Sequence, residues 1–201
     1  PAGGAGGGAT TRIGAANFDL TIQARGTGNH PPFNVLSTGA VRGNVINGYE
    51  EFNFSGSADD QFSLYTFKDG FNFNFWGVNY TQAYVSENSY IQFGTTNGLS
   101  TFPNPTVGFV NSGGPRIMTF FNDLDPDSSG NNYTVFVQQF EENGVKKARS
   151  VHEQIQVFGA ATGGHGGEIT LTENDEIAVF VASYNASPSI NTAVGISKGG
   201  H

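Results

Sequence analysis

The densest group of potential ligands in the 201-residue sequence is the run Asp123-Leu124-Asp125-Pro126-Asp127-Ser128-Ser129-Gly130-Asn131. Carboxylates at alternate positions, with loop carbonyls between them, are the hard oxygen donors that calcium prefers. The run is not an EF-hand, because Ser128 stands where the turn glycine belongs and the twelfth position is Thr134 rather than Glu. The same residues suit an Asx-turn loop whose carboxylates accept neighbouring backbone N–H groups. Asp123, Asp125 and Asp127 are therefore a candidate calcium set, with a structural loop as the competing reading. No other cofactor is expected.

Catalytic patterns are poorly supported. Gly195-Ile196-Ser197-Lys198-Gly199 fits the G-x-S-x-G spelling of a hydrolase nucleophile, but that motif needs a strand, a sharp turn and a helix, with an acid and a His after it. Only His201 follows, and the segment reads as the last strand. The other histidines are His30, His152, expected in a strand, and His165, expected in a Gly-rich loop; none has the spacing of a metal-binding pair. No pair of glycosidase carboxylates can be singled out among the 17 acids. The expectation is a protein that is not an enzyme. Asn53, Asn79 and Asn132 head N-x-S/T sequons, which mark surface loops if the chain is secreted. Trp76, Tyr80, Tyr84 and Tyr90 could stack on sugar rings, although packing between sheets is the plainer use of such residues.

The elements that must position these residues read as strands. In 17–24 Phe18, Leu20, Ile22 and Ala24 alternate with polar residues, the period of a half-buried strand. Further strands are expected at 49–54, 61–67, 71–76, 82–86, 89–93, 106–110, 115–121, 132–141, 145–158, 167–172, 177–184 and 191–197. Phe71, Phe73 and Phe75 alternate with Asn72 and Asn74. No long window has helical periodicity. Asn143-Gly144 between two alternating runs is the preferred two-residue hairpin turn. It sets Glu142 opposite Val145 and Glu141 opposite Lys146, so the cluster Lys146, Lys147 and Arg149 reads as a solvated hairpin. Many short strands with Gly and Asn turns predict an all-β fold, an antiparallel β-sandwich of jelly-roll-like or Ig-like type.

Composition narrows the function. The chain has 29 Gly, 18 Phe, no Cys and only 13% charged residues, which excludes disulfides and thiolate metal sites. A net charge of -8 with nine scattered Lys and Arg argues against nucleic acid, whose phosphates need a basic face. No apolar run approaches the roughly 20 residues of a membrane span. The start at Pro1 without Met is expected of a processed chain or a fragment.

Three segments carry a family resemblance. FNFNFWGVNYTQAYVSENSYIQFG (71–94) is similar to a Phe-rich strand followed by a Y-x-x-x-Y-V-x-x-N-G-x-I-x-F run, with Tyr80, Tyr84-Val85, Asn88, Ile91 and Phe93 in place and Ser89 where glycine is frequent. GPRIMTFFNDLDP (114–126) is similar to P-x-I-A-P-F-W-x-D-x-D-P, matching at Phe120, Phe121, Asp123, Asp125 and Pro126. LTENDEIAVFVASY followed by NTAVGIS is similar to a late strand pair ending in G-I/L-S. Together, over about residues 60–198, they resemble the nidogen-like domain and related β-sandwich modules of bacterial surface proteins. The resemblance implies an extracellular module of adhesion and matrix proteins without catalytic residues. The cysteines of many animal relatives are absent, and the region before residue 48 has no counterpart.

That region divides the chain into a Gly-rich leader with an amphipathic strand (1–28) and the sandwich (29–201). A strand on a Gly-rich tether can pair in its own sheet or insert into a neighbour's, and insertion between identical copies propagates into a filament. Ile13, Phe18, Leu20 and Ile22 would be its buried residues. The leading expectation is an extracellular, cell-surface structural protein that self-associates into a homopolymer. The alternative is a monomeric adhesin or carbohydrate-binding module with a glycan or cell-surface ligand.

Overall fold

The computed structural model describes residues 9–11, 20–22, 50–51, 59–96, 112–125, 135–159, 164–184 and 193–199. These hold fifteen strands and no helix, so no described helix is long and apolar enough to cross a membrane. The expected strand at 106–110 lies outside them.

The larger sheet is built on a meander of β11 (Val135–Glu142), β12 (Val145–Val157), β13 (Gly164–Thr172) and β14 (Ile177–Tyr184). Each neighbouring pair is antiparallel. The short strand β3 (Glu50–Glu51) lies along β11, and β10 (Leu124–Asp125) along the far end of β12. On the other edge β2 (Leu20–Ile22) lies along β14, with β1 (Ala9–Thr11) outside it. The β14–β2 pairing is the single parallel one among the described strands. The second sheet has the order β15 (Ala193–Ser197), β9 (Arg116–Phe121), β8 (Tyr90–Gln92), β7 (Gln82–Ser86) and β4 (Phe62–Thr66). A separate hairpin joins β5 (Phe73–Phe75) to β6 (Val78–Tyr80). The expected strand at 71–76 is thus shorter; β6 and β10 were not anticipated, and His165 lies in β13 rather than in a loop.

The anticipated Asn143-Gly144 turn and the Trp76-Gly77 turn both take the left-handed backbone that a type I′ turn demands. Asn143 and Gly144 have φ of 55° and 76°, and Trp76 and Gly77 have 55° and 80°. The resulting register sets Glu142 opposite Val145 and Glu141 opposite Lys146, as the sequence predicts. The charges nevertheless pair diagonally. Lys147 Nζ donates to Glu142 at 2.6 Å, while Lys146 Nζ reaches the Asp69 carbonyl at 2.9 Å. Arg149 turns the other way, to Glu168 at 3.0 Å.

The two sheets face one another, and alternation decides what lies between them. Val135, Val137, Ala148, Ile155, Ile169, Leu171, Ile177 and Val179 of the larger sheet meet Tyr65, Ala83, Val85, Ile91 and Ile117 of the smaller. One end of the core is filled by aromatics. Phe93 lies 5.8 Å from Phe73, 5.3 Å from Phe75 and 4.9 Å from Tyr80, ring centre to ring centre. Fully burying a Phe contributes roughly 1.5–3 kcal/mol, so this cluster is a large share of the driving force. Trp76 packs half-buried on Phe75, and Tyr90 is buried against Phe121. These aromatics therefore serve packing rather than an open sugar-binding face.

Beside β5 and β6 the sheets are clasped by Gln139. Its Oε1 accepts from Lys68 N–H at 2.6 Å and from the Tyr65 hydroxyl at 3.2 Å, and its Nε2 donates to the Lys68 carbonyl at 3.1 Å. The sheets are in close contact at Gly167 of β13, where any Cβ would collide with the Cβ and Oγ1 of Thr119 on β9. Gly167→Ala is expected to lower unfolding stability by about 1–3 kcal/mol, the usual cost of overpacking. Chemical denaturation checks it, and an unchanged midpoint would mean that the sheets are not held this close.

Candidate functional site

The row of the larger sheet that holds Gly167 also holds Val135 and His152. Three β-branched, imidazole and glycine positions in one row make a shallow floor, and the β7–β8 turn of the other sheet sits over it. His152 is 0% exposed, and its Nε2 lies 2.7 Å from the Ser86 carbonyl. A carbonyl only accepts, so Nε2 carries the proton. Burial lowers the imidazole pKa from 6.5 to about 4, and the Ser86 bond only partly offsets this. His152 is therefore neutral near pH 7 and acts as a strut between sheets.

The turn itself runs Glu87-Asn88-Ser89. Ser89 has a φ of 63°, the left-handed region that favours glycine, which accounts for the glycine that similar sequences carry here. In compensation its hydroxyl lies 2.6 Å from Thr119 Oγ1, and its carbonyl accepts from Thr119 N–H at 3.0 Å. Asn88 turns the corner to the next segment, its Oδ1 accepting from Leu124 N–H at 2.6 Å. Asn122 Oδ1 accepts from Asp123 N–H at 2.8 Å, and the Asp123 carbonyl accepts from Phe158 N–H at 2.9 Å.

These bonds gather acids that are far apart in the chain. The β4–β7 register places Phe62 opposite Ser86, and Glu87 N–H extends the ladder to the Gln61 carbonyl at 3.3 Å. Two residues further back, Asp59 and Asp60 come alongside the turn. One carboxylate oxygen from each of Asp59, Asp60 and Asp123 lies within 4.8 Å of the others. At that separation two carboxylates repel by about 3 kcal/mol at the effective dielectric of a protein surface. Burial, then Asp123 and Asp125, raises the pKa of Asp60; burial, then Asp59 and Asp125, raises that of Asp123.

Glu87 is 0% exposed. Its Oε2 accepts from the Ser86 hydroxyl at 3.3 Å, whereas its Oε1 is enclosed without a hydrogen-bond partner. Burial pushes its pKa well above the usual carboxylate range, and the charges of Asp60 and Asp59 push the same way, against the pull of its own N–H and of Ser86. An ensemble of carboxylates with no Cys or His offers only hard oxygen ligands, suited to a cation such as calcium and not to a soft metal.

The sequence-predicted sites fare differently. Asp123 belongs to the corner, and Asp125 adds its field; Asp127 lies outside the described residues. Among the described residues Asp123 is grouped with Asp59 and Asp60. Asp59-Asp60 carried one signal, an acid pair just before an expected strand, and Glu87 carried none. Asn79 is an exposed residue of β6 whose Oδ1 accepts from Asn74 Nδ2 at 3.1 Å; Asn53 and Asn132 lie outside the described residues. Leu20 and Ile22 are in β2, while Ile13 and Phe18 lie outside. Ser197 is buried in β15, its hydroxyl accepting from Gly199 N–H at 3.1 Å, and no described helix follows it.

The strut gives a pH prediction. Between about pH 4 and 6.5 the unfolded chain holds a proton on His152 that the folded chain lacks. Stability from this residue is thus complete above about 6.5 and is lost as pH falls towards 4, by up to about 1.4 kcal/mol per pH unit. The unfolding free energies of wild type and His152→Gln, measured from pH 7 to pH 4, should converge by about 3 kcal/mol. A constant difference would mean that the imidazole titrates normally.

The NIDO-related family model matches residues 44–200, a span that includes the smaller sheet, the larger sheet apart from β1 and β2, the hairpin β5–β6 and every acid of the corner. No curated protein and no solved structure matched the chain. The shared segment runs through the Asn88 turn and the Asp123-Leu124-Asp125 corner, which the fold joins by one hydrogen bond. The chain belongs to the NIDO-related family, and its β-sandwich is a nidogen-like domain.

Proposed function

We propose that this chain is a non-enzymatic structural protein of the extracellular cell surface, whose copies are joined when the N-terminal strand of one pairs with the sheet of the next. The observation that carries the reading is the edge of the larger sheet. There β14 runs for eight residues, and β2 pairs with only Ile177, Ala178 and Val179. The pairing is parallel, between elements separated by most of the chain, and β2 is bonded otherwise only to β1 among the described strands. Such a strand is held by main-chain hydrogen bonds along one edge, the contact that strand addition uses between chains.

In the structure β2 lies on β14 of its own chain. The same register made to a second copy would expose that copy's own β2 in turn, so the contact is heterologous and propagates. The run of glycines before β1 places few side chains between a strand and a neighbouring surface. Family membership supports an extracellular structural setting. The packed state of Trp76, Tyr80 and Tyr90 favours this reading over a sugar-binding module.

Size-exclusion chromatography and negative-stain microscopy of the full chain test the proposal. The wild type should form concentration-dependent polymers. Leu20→Asp with Ile22→Asp should remain monomeric, and a free peptide of residues 9–24 should cap growth of the wild type. A wild type that stays monomeric at high concentration, or polymers unaffected by both the substitutions and the peptide, would sink strand exchange.

A further inference from the structure

The acids at the closed end of the sandwich have a use that strand exchange does not require. We propose that Asp59, Asp60 and Asp123, with Glu87 beside them, form a calcium-binding corner that locks three separate segments of the chain together.

The first observation is the convergence itself. The lead into β4, the β7–β8 turn and the β9–β10 corner each bring carboxylates to one place, with Asp59, Asp60 and Asp123 mutually within 4.8 Å. The second is independent of that clustering. Glu87 is wholly buried, its Oε1 has no hydrogen-bond partner, and the charges that it feels are those of Asp60 and Asp59. A buried polar atom is ordinarily satisfied by protein or by something bound. Those charges are negative, so a cation set among these carboxylates would supply a partner and relieve the repulsion. Asp60 Oδ1 is enclosed without a partner in the same way.

The choice of ion follows from the donors. Calcium accepts six to eight oxygens in irregular geometry, whereas magnesium demands a near-regular octahedron and keeps most of its water. Carboxylates set by two turns and a strand end, with Asp125 adding charge from β10, suit the former. The bonds already described hold the ligands without an ion: Asn88 Oδ1 to Leu124 N–H, and the Phe158 N–H to the Asp123 carbonyl. The ion would neutralise a charge concentration in a chain whose net charge is already -8.

Isothermal titration calorimetry and thermal unfolding of the full chain, stripped with chelator and then given calcium or magnesium chloride, test this. Calcium should bind with one site per chain and a Kd on the order of 0.1 mM. About 10 mM calcium should raise Tm by about 5–10 °C, and magnesium by clearly less. Asp60→Asn with Asp123→Asn should raise Tm in chelator, because repulsion is relieved, and weaken calcium binding at least tenfold. Glu87→Gln, which keeps the shape of the side chain, should do both to a smaller degree and serves as the readout if the double variant does not fold. Absence of a calcium response in the wild type, an equal response to magnesium, or a response that persists undiminished in the variants would overturn the assignment. Because each readout is a property of the single chain, failure here leaves strand exchange standing, and the reverse.

Discussion

The hydrogen bond from His152 to the Ser86 carbonyl is the contact on which the closed end of this domain depends. It crosses from one sheet to the other beside Val135, at the edge of the apolar core. Around it the sheets approach closely enough that Gly167 has room for no side chain against Thr119. Of the two ring nitrogens only Nε2 is paired, Nδ1 being enclosed without a partner, so this one bond has to offset the burial of the imidazole. The imidazole must stay neutral, the Ser86 carbonyl must face it, and the turn after Ser86 must bend sharply enough to return as β8. Ser89 takes a left-handed backbone to make that bend. The acid corner is a consequence, since the same turn carries Glu87 and Asn88 to the rim.

The other end is governed by different physics. There the aromatic rings of Phe73, Phe75, Phe93 and Tyr80 fill the space between the sheets, and Gln139 ties the chain to the Lys68 backbone. The two ends thus divide the labour. Apolar area supplies the driving force where the large rings lie, and a few directional bonds set the geometry around His152. The acids gathered near that end are partly withdrawn from water. Strand exchange at the β14 edge, as proposed, would need no special side chains, because main chain would be the contact.

How far the sequence could be read varied with the range of the forces involved. The all-β class and the Asn143-Gly144 hairpin with its register were legible, for each follows from alternation and turn chemistry within about ten residues. The β5–β6 hairpin was only half legible: Phe73 and Phe75 marked one strand, but the Trp76-Gly77 turn hid a second of three residues. The charge pairing was misjudged in detail, since Lys147 reaches Glu142 diagonally while Lys146 leaves the hairpin for Asp69. The acidic run at Asp123 gave no sign of Asp59 and Asp60, which the fold brings beside Asp123, because a linear run shows only its own neighbours.

What the sequence determined by itself, then, is local or compositional: strands from the period of two, turns from residues that tolerate positive φ, and an acidic net charge. What only the tertiary structure decided is which distant segments share a corner. Asp59, Glu87 and Asp123 meet because the β4–β7 ladder extends past Phe62 and because one Asn88 side chain bonds the Leu124 amide. Neither fact leaves a trace in composition or spacing. Pairing between strands depends on the register of the whole sheet, and a shift of one residue would turn each of these side chains to the opposite face.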